Sequence, residues 1–298
     1  MNEIFHRLGA SLYIPAANKD LILIAKQEKY AKLKSMIFCT EDSIIEEELP
    51  IGLNNINKAL SLIEENNNLK FIRVRNPQVL EYLIKQKNIE KIQGFVLPKI
   101  TNSNINDYFC ILNKVEKPFY IMPTLETKET FCNEAMRSLR KIFLDPKFKS
   151  RILAIRIGGN DLLNILDLKR PKNHTIYETP IGNTISNLIS IFKPFGFNLT
   201  APVFEYLDNN EILKAEVKRD LINGLFSKSS IHPCQIDIIE NLYKVEKSDI
   251  EMAQSIVLNK EKKAVFKMNE TMCEVSTHYN WAKSIIERSK IHGINNEI

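Results

Sequence analysis

The chain of 298 residues carries 41 basic and 36 acidic residues, a formal net charge of +5, with 44% hydrophobic and 26% charged residues. That composition supports a sizeable core and excludes wholesale disorder. The basic residues are scattered rather than gathered on one stripe, which excludes a nucleic-acid footprint as the organising feature. Five widely spaced cysteines without a CxxC pair read as the reduced thiols of a cytoplasmic protein. There is no apolar run of about 18 residues, and the N-terminus lacks a charged leader followed by an apolar stretch, so secretion and membrane spanning are disfavoured.

Along the chain, short β-prone apolar runs alternate with stretches of helical period, the pattern of repeated βα units around a parallel sheet. Strands are predicted at 11–14, 36–39, 71–75, 94–97, 119–122, 152–157, 198–201 and 225–227. Between the sixth and seventh of these, the run 181–195 sets Ile181, Ile185, Leu188, Ile189, Phe192 and Phe195 on one helical face, with Gly196 as its C-cap. Residues 168–179 read as a long surface loop, either a lid or a solvated insertion. The polar stretch 64–68 is the one low-complexity segment. Beyond about Gln235 the pattern turns to helices alone, around 248–259 and 280–291. The expected architecture is a (β/α)8 TIM barrel over 1–235 with a C-terminal helical arm, 236–298, of the same domain. Alternation alone leaves a doubly wound open sheet in play.

The polar residues gather where the strands end. Glu41 and Asp42 follow the second strand, Arg73 and Arg75 end the third, and Lys99 follows the fourth. Glu126 follows the fifth, Gly158-Gly159-Asn160-Asp161 the sixth, and Lys228 and His232 the eighth. One Glu after one strand is more often a helix N-terminal partner than a ligand. Six polar strand ends on one rim are a different matter, because barrel active sites are built from that rim.

Residue type then suggests the chemistry. Mg2+ is a hard octahedral ion that takes one or two carboxylates and leaves its other positions to water and substrate oxygens. Glu126 and Asp161, on neighbouring strands, are the candidate pair. The forked, permanently charged guanidinium of Arg73 suits a substrate carboxylate or a developing enolate. Lys99 offers an alternative, a Schiff-base lysine in a metal-independent aldolase, provided its pKa is depressed. Glu41 and Asp42, with His232, are candidates to surround the metal and orient its waters. The first two are equally candidates to pair with Arg73, and His232 reads as a structural residue before a catalytic one. Cys39 reads as a small buried hydrophobe.

Seven short motifs occur in a telling order: LYIPA at 12–16, TEDSI at 40–44, IRV at 72–74, VLPKI at 96–100, LET at 125–127, IGGNDL at 157–162 and SIHPCQI at 230–236. In this order the chain resembles the HpcH/HpaI aldolase and citrate lyase β-subunit family, which includes malyl-CoA lyase, over nearly its whole length. The resemblance implies a TIM barrel and a Mg2+-dependent carbon-carbon bond lyase or aldolase. Its substrate would be a small hydroxy acid or its CoA thioester, cleaved through an enolate. On the same resemblance, Glu126 and Asp161 are Mg2+ ligands and Arg73 contacts the substrate carboxylate and enolate; Arg75 and Lys99, on the same rim, are further candidate substrate contacts. The segment 270–274 is similar to one in which an acidic residue, here Glu274, reaches the active site of a neighbouring subunit in a trimer or larger ring. The runs LTAPVFEYLD and GLFSKSSIHPCQI resemble a bacterial subgroup of such lyases from tellurite and stress-response gene clusters.

Departures from the family pattern bear on the substrate. Cys39 stands where an aspartate is usual, Arg75 where an asparagine is common, and Asn160 where a glutamate often precedes the metal-binding aspartate. Lys128 and Glu129 replace small residues, and Glu274 stands for the usual aspartate. These changes keep the metal pair but alter the pocket wall. They favour a more anionic substrate, a diacid or a phosphorylated compound, over a CoA thioester. They also leave open a barrel without catalysis that serves as a binding or regulatory subunit.

Overall fold

Eight parallel strands form the centre of the molecule. They are β1 (Ala10–Pro15), β2 (Ser35–Cys39), β3 (Leu69–Arg73), β4 (Gly94–Leu97), β5 (Tyr120–Leu125), β6 (Ile155–Ile157), β7 (Leu199–Thr200) and β8 (Lys228–Ser230). Neighbours pair in the order β7-β6-β5-β4-β3-β2-β1-β8. The ring closes where Ala201, just past β7, pairs in parallel with Lys228, its N–H donating to the Ser227 carbonyl at 2.7 Å. The computed structural model describes residues 3–64, 68–268 and 270–295. The fold is therefore a (β/α)8 barrel and not the open sheet that alternation alone allowed.

The strands read as continuous apolar runs because both of their faces are covered. Every residue of β2, β3 and β4 is buried. One set of side chains packs outward against the helices; the other fills the barrel, where Ile37, Leu69, Phe71, Val96, Met122 and Ala154 cluster with Phe5 and Leu8 from the N-terminal segment. Following the same inward columns toward the C-terminal ends of the strands, two residues at a time, the chemistry changes. Phe71 gives way to Arg73, Met122 to Thr124 and then Glu126, and Ala154 to Arg156. The polar members of these columns line a cavity. An apolar plug below and a polar mouth above follow from this alternation.

The helices behave largely as their periodicity predicts. Ile181–Phe192 buries Ile181, Ile185, Leu188 and Phe192, each worth roughly 1.5–3 kcal/mol. It tightens into a 3-10 turn, Lys193–Phe195, and ends at Gly196, whose φ of 82° is the left-handed cap. Phe195 departs from the expected core face: it is 39% exposed, with the Arg140 guanidinium stacked 3.7 Å from its ring centroid.

Two further expectations are corrected. The eighth strand is Lys228–Ser230, not 225–227. Its sequence KSS hides it from an apolar pattern, because Lys228 is buried by pairing rather than by hydrophobicity. Its Nζ meets Glu216 and Asp220, each at 2.9 Å. Glu216 also accepts from Arg170 Nη1 on both oxygens, at 3.0 and 3.1 Å, and from the Ile176 N–H at 2.7 Å. The loop 168–179 is pinned near its start: Arg170 is buried and anchors it to the helix Asn210–Ile222, while residues 171–174 stay exposed.

The second correction concerns the tail, which is not helical throughout. Helices Lys247–Leu258 and Val275–His292 are present. So are an antiparallel hairpin, β10 (Val265–Met268) with β11 (Thr271–Glu274), and a short parallel pair, β9 (Val245–Glu246) with β12 (Ile294–Asn295). These elements share a small core of their own built around Val245, Ile250, Ile256, Cys273 and Ile285. Glu240 ties tail to barrel, accepting from the Ala10 N–H at 2.8 Å and pairing with Lys34 at 2.5 Å and His292 at 3.0 Å. Of the polar stretch 64–68, residues 65–67 lie outside the described residues. No helix among the described residues is long and apolar enough to cross a membrane.

Candidate active site at the barrel mouth

A cavity of about 380 Å3 opens at the C-terminal ends of the strands, with Tyr13, Asp42, Arg73, Glu126, Arg156 and Asp161 in its wall. Glu126 follows β5 directly and is 2% exposed. Its Oε1 accepts from Arg73 Nη2 at 3.0 Å and from the Lys99 backbone N–H at 2.9 Å. Its Oε2 is buried with no hydrogen-bond partner. Burial dominates the environment of this carboxyl, and the charge of Asp161 adds to it; against the opposing pull of Arg73 they push its pKa up to about 7.

Gly158 makes this approach possible. A Cβ there would lie 2.4 Å from Glu126 Oε2, so only glycine lets the loop after β6 pass alongside the carboxylate. The same loop opens the helix Gly159–Ile165, with Asp161 in its first turn. Burial, followed by the charge of Asp42, raises the Asp161 carboxyl above its usual range. Among the described residues no group of three or more His, Cys, Asp and Glu side chains gathers in a metal-holding arrangement. A two-carboxylate site is what a small hard cation uses when water and substrate complete its shell. The unsatisfied Oε2 of Glu126 fits that donor set.

Arg73 stands at the end of β3, 8% exposed. Three carboxylates meet its Nη2: Glu41 at 2.6 Å, Asp42 at 3.0 Å and Glu126 at 3.0 Å. Its Nε is buried without a partner. Burial works against the charge, but Glu126, Tyr13 and Glu41 overcome it and hold the guanidinium firmly protonated. Glu41 is raised by burial in turn, while Asp42, which lines the cavity, is held low by its hydrogen bonding and by Arg73 in spite of partial burial.

The remaining predicted residues take other places. Lys99 carries an ammonium bound to Glu41 and, at 3.1 Å, to Asp42. Burial would lower its pKa, yet those two carboxylates drive it well above the normal lysine value. A Schiff-base lysine must be neutral to attack, and these two carboxylates favour the charged ammonium instead. Arg75 is absent from the cavity wall. Its guanidinium clamps the loop after β2, donating to the carbonyls of Thr40 at 3.0 Å and Ile44 at 2.6 Å and pairing with Glu46 at 3.1 Å. These contacts hold the acidic loop in place. His232 is exposed and outside the cavity; its Nδ1 accepts the Cys234 N–H at 3.3 Å and caps the short turn Pro233–Gln235. Glu274, at the end of β11, is exposed and lies outside the cavity of its own chain.

Among the cavity residues that the strand-end pattern does not mark are Arg156, Tyr13, Thr124 and Ser229. Arg156 lies inside β6 between two isoleucines, not after the strand, so a search of strand ends passes over it. Its signal is an arginine at an inward-facing position of a strand with both faces covered.

The barrel carries Glu126, Asp161 and Arg73 at its C-terminal rim, where (β/α)8 enzymes build their active sites. The chain belongs to the family described as C-C bond lyase of the TIM-barrel fold, which it matches over residues 2–294. Among solved structures it is similar to the CitE protein of Mycobacterium tuberculosis in complex with magnesium, acetoacetate and coenzyme A. That match has 17% identity and a TM-score of 0.70, covering 95% of this chain and 99% of that one. It is also similar to a citrate lyase from Burkholderia xenovorans LB400, with 14% identity and a TM-score of 0.72 over 97% and 93% of the two chains. RipC from Yersinia pestis matches at 16% identity and a TM-score of 0.62, over 83% and 99%. No curated protein matches the chain in sequence. The family expected from the order of the seven motifs is thus the one to which the chain belongs.

Proposed function

We propose that this protein is a Mg2+-dependent carbon-carbon bond lyase or aldolase acting on a small hydroxy acid or its CoA thioester. The observation that carries the reading is Glu126, whose buried and unpartnered Oε2 stands near Asp161 at the mouth of a cavity that also holds Arg73. The M. tuberculosis neighbours are described in complex with magnesium and acetoacetate, oxaloacetate or pyruvate. Such ligands, small acids with an oxo group, agree with this donor set.

In this reading Glu126 and Asp161 hold the metal, which when bound supplies Lewis-acid polarisation of a substrate oxygen. Arg73 orients the substrate carboxylate and faces the enolate oxygen. Negative charge grows on that oxygen as the carbon-carbon bond breaks, so Arg73 stabilises the transition state more than the neutral ground state. Glu41 and Asp42 keep Arg73 in place, and Lys99 holds those two carboxylates. Glu274 is proposed to arrive from a neighbouring subunit of a trimer or larger ring and to serve as the base for the substrate hydroxyl. The test is cleavage of a panel of 3-hydroxy acids and their thioesters by metal-stripped protein, with and without added Mg2+. Product formation that requires Mg2+ supports the reading. A panel without turnover, on protein shown to bind Mg2+, would leave a barrel that binds and does not cleave.

A further inference from the structure

We infer that Arg156 anchors a second acidic group of the substrate, so that the cavity selects a short diacid over a monoacid. This deepens the proposed lyase reading and rests on it. Arg156 is 1% exposed, yet it lines the cavity together with Tyr13, Thr124 and Ser229. Nη2 donates to Ser229 Oγ at 2.7 Å, Nη1 lies 3.6 Å from Met122 Sδ, and the guanidinium carbon is 5.3 Å from the Tyr13 ring centroid. Among the described residues it forms no ion pair. Of the other buried cations, Arg73, Arg170 and Lys228 each meet at least one carboxylate.

A buried guanidinium without a counter-charge is unfavourable unless something supplies one. Arg156 Nε is buried without a partner, as is the hydroxyl of Thr124, and Thr124 sits beside Arg156 in the β5–β6 register. Both residues belong to the wall of the cavity a ligand would fill. A carboxylate matches a guanidinium fork in shape and in charge. Arg156 also lies one layer deeper than Glu126. Its register partner is Thr124, two residues earlier on the same strand, a drop on the order of 6.6 Å. An acid whose one end is held at Glu126, Asp161 and Arg73 meets Arg156 with a second acidic group at the far end of a short chain.

The probes are two 2-hydroxy acids, lactate and malate, which differ by the second carboxylate. Binding is measured by calorimetry in saturating Mg2+ to the wild-type chain and to Arg156→Met, Arg156→Lys and Ser229→Ala. The wild type is expected to prefer malate by about tenfold or more, and Arg156→Met to weaken malate on the order of ten- to a hundredfold while leaving lactate within about twofold. Arg156→Lys, which keeps the charge and loses the fork, should fall between them. Should Arg156→Met fail to fold, Ser229→Ala supplies the same reading on a smaller scale, because it removes the hydrogen bond that aims the guanidinium. A malate preference unchanged in these variants, or lactate falling in step with malate, overturns the role of Arg156 and leaves the lyase reading in place. If neither acid binds the wild type in Mg2+, the inference is overturned, while Mg2+-dependent turnover of the 3-hydroxy acid and thioester panel still decides the lyase reading.

Discussion

Lys99 donates its backbone N–H to Glu126 Oε1 at 2.9 Å from a left-handed conformation, φ 50°. A side chain with a Cβ adopts that region at a cost, and such strain persists where the surrounding structure enforces it. Here the strained turn after β4 delivers a main-chain donor to the carboxylate at the centre of the site, while the ammonium at the other end of the residue is occupied by Glu41 and Asp42.

This division of labour gives the first prediction. Lys99→Ala keeps the N–H and removes only the ammonium, so Mg2+-dependent acid binding should persist. Borohydride treatment of the wild type with pyruvate should leave no adduct on Lys99, as read by peptide mass spectrometry. An adduct there would restore the Schiff-base reaction.

Arg75 provides a second. Because its donors hold the carbonyls of Thr40 and Ile44, Arg75→Met should loosen the loop that carries Glu41 and Asp42. The expected result is faster hydrogen exchange over 40–44 and a loss of roughly 1–3 kcal/mol in stability from the buried acceptors left unpaired. A direct substrate contact would instead change acid affinity with exchange unaltered.

The buried cluster under the loop 168–179 gives a third. Lys228→Met leaves Glu216 and Asp220 in a dry environment without their shared cation. Breaking a buried ionic cluster from one side costs about 3–5 kcal/mol, measurable as a drop in the urea midpoint. A loss below about 1 kcal/mol would mean that the cluster relaxes into solvent when disturbed.

Acid sensitivity follows from His6, which burial above all, helped by the charges of His292 and Arg288, lowers from 6.5 to about 4. The unfolded chain takes up this proton below pH 6.5 while the folded chain does not, so stability is intact above 6.5 and declines as pH falls toward 4. The full effect is about 3 kcal/mol. Glu240, held down to about 2 by His292 and Lys34 against the opposing effect of burial, extends the decline below its normal 4.5. Urea midpoints between pH 7 and 4 should fall for the wild type and fall less for His6→Phe, whose ring would join Phe5 and Phe226. Equal slopes in the two proteins would remove His6 from the account.

The residues that could be read from the sequence are those whose position follows from strand geometry. Glu126, Asp161, Arg73 and Asp42 directly end or follow apolar runs, and the structure brings them to one cavity. Arg75 has the same sequence signature but turns its donors onto the main chain, a choice made by the fold of the neighbouring loop. Arg156 was hidden because it interrupts an apolar strand, and β8 because its buried lysine is stabilised by Glu216 and Asp220, on a helix that precedes it. The hairpin Val265–Glu274 carries mixed exposure, so neither strand shows a clean alternation.

The central claim is that Glu126 and Asp161 hold the metal, and calorimetric titration of Mg2+ into the wild type, Glu126→Gln and Asp161→Asn tests it most directly. Both substitutions keep size and remove charge, and circular dichroism should report an intact barrel in each. The account predicts saturable Mg2+ binding by the wild type and a loss of at least about tenfold in affinity in either variant. Mg2+ binding that is unchanged in both variants would contradict it.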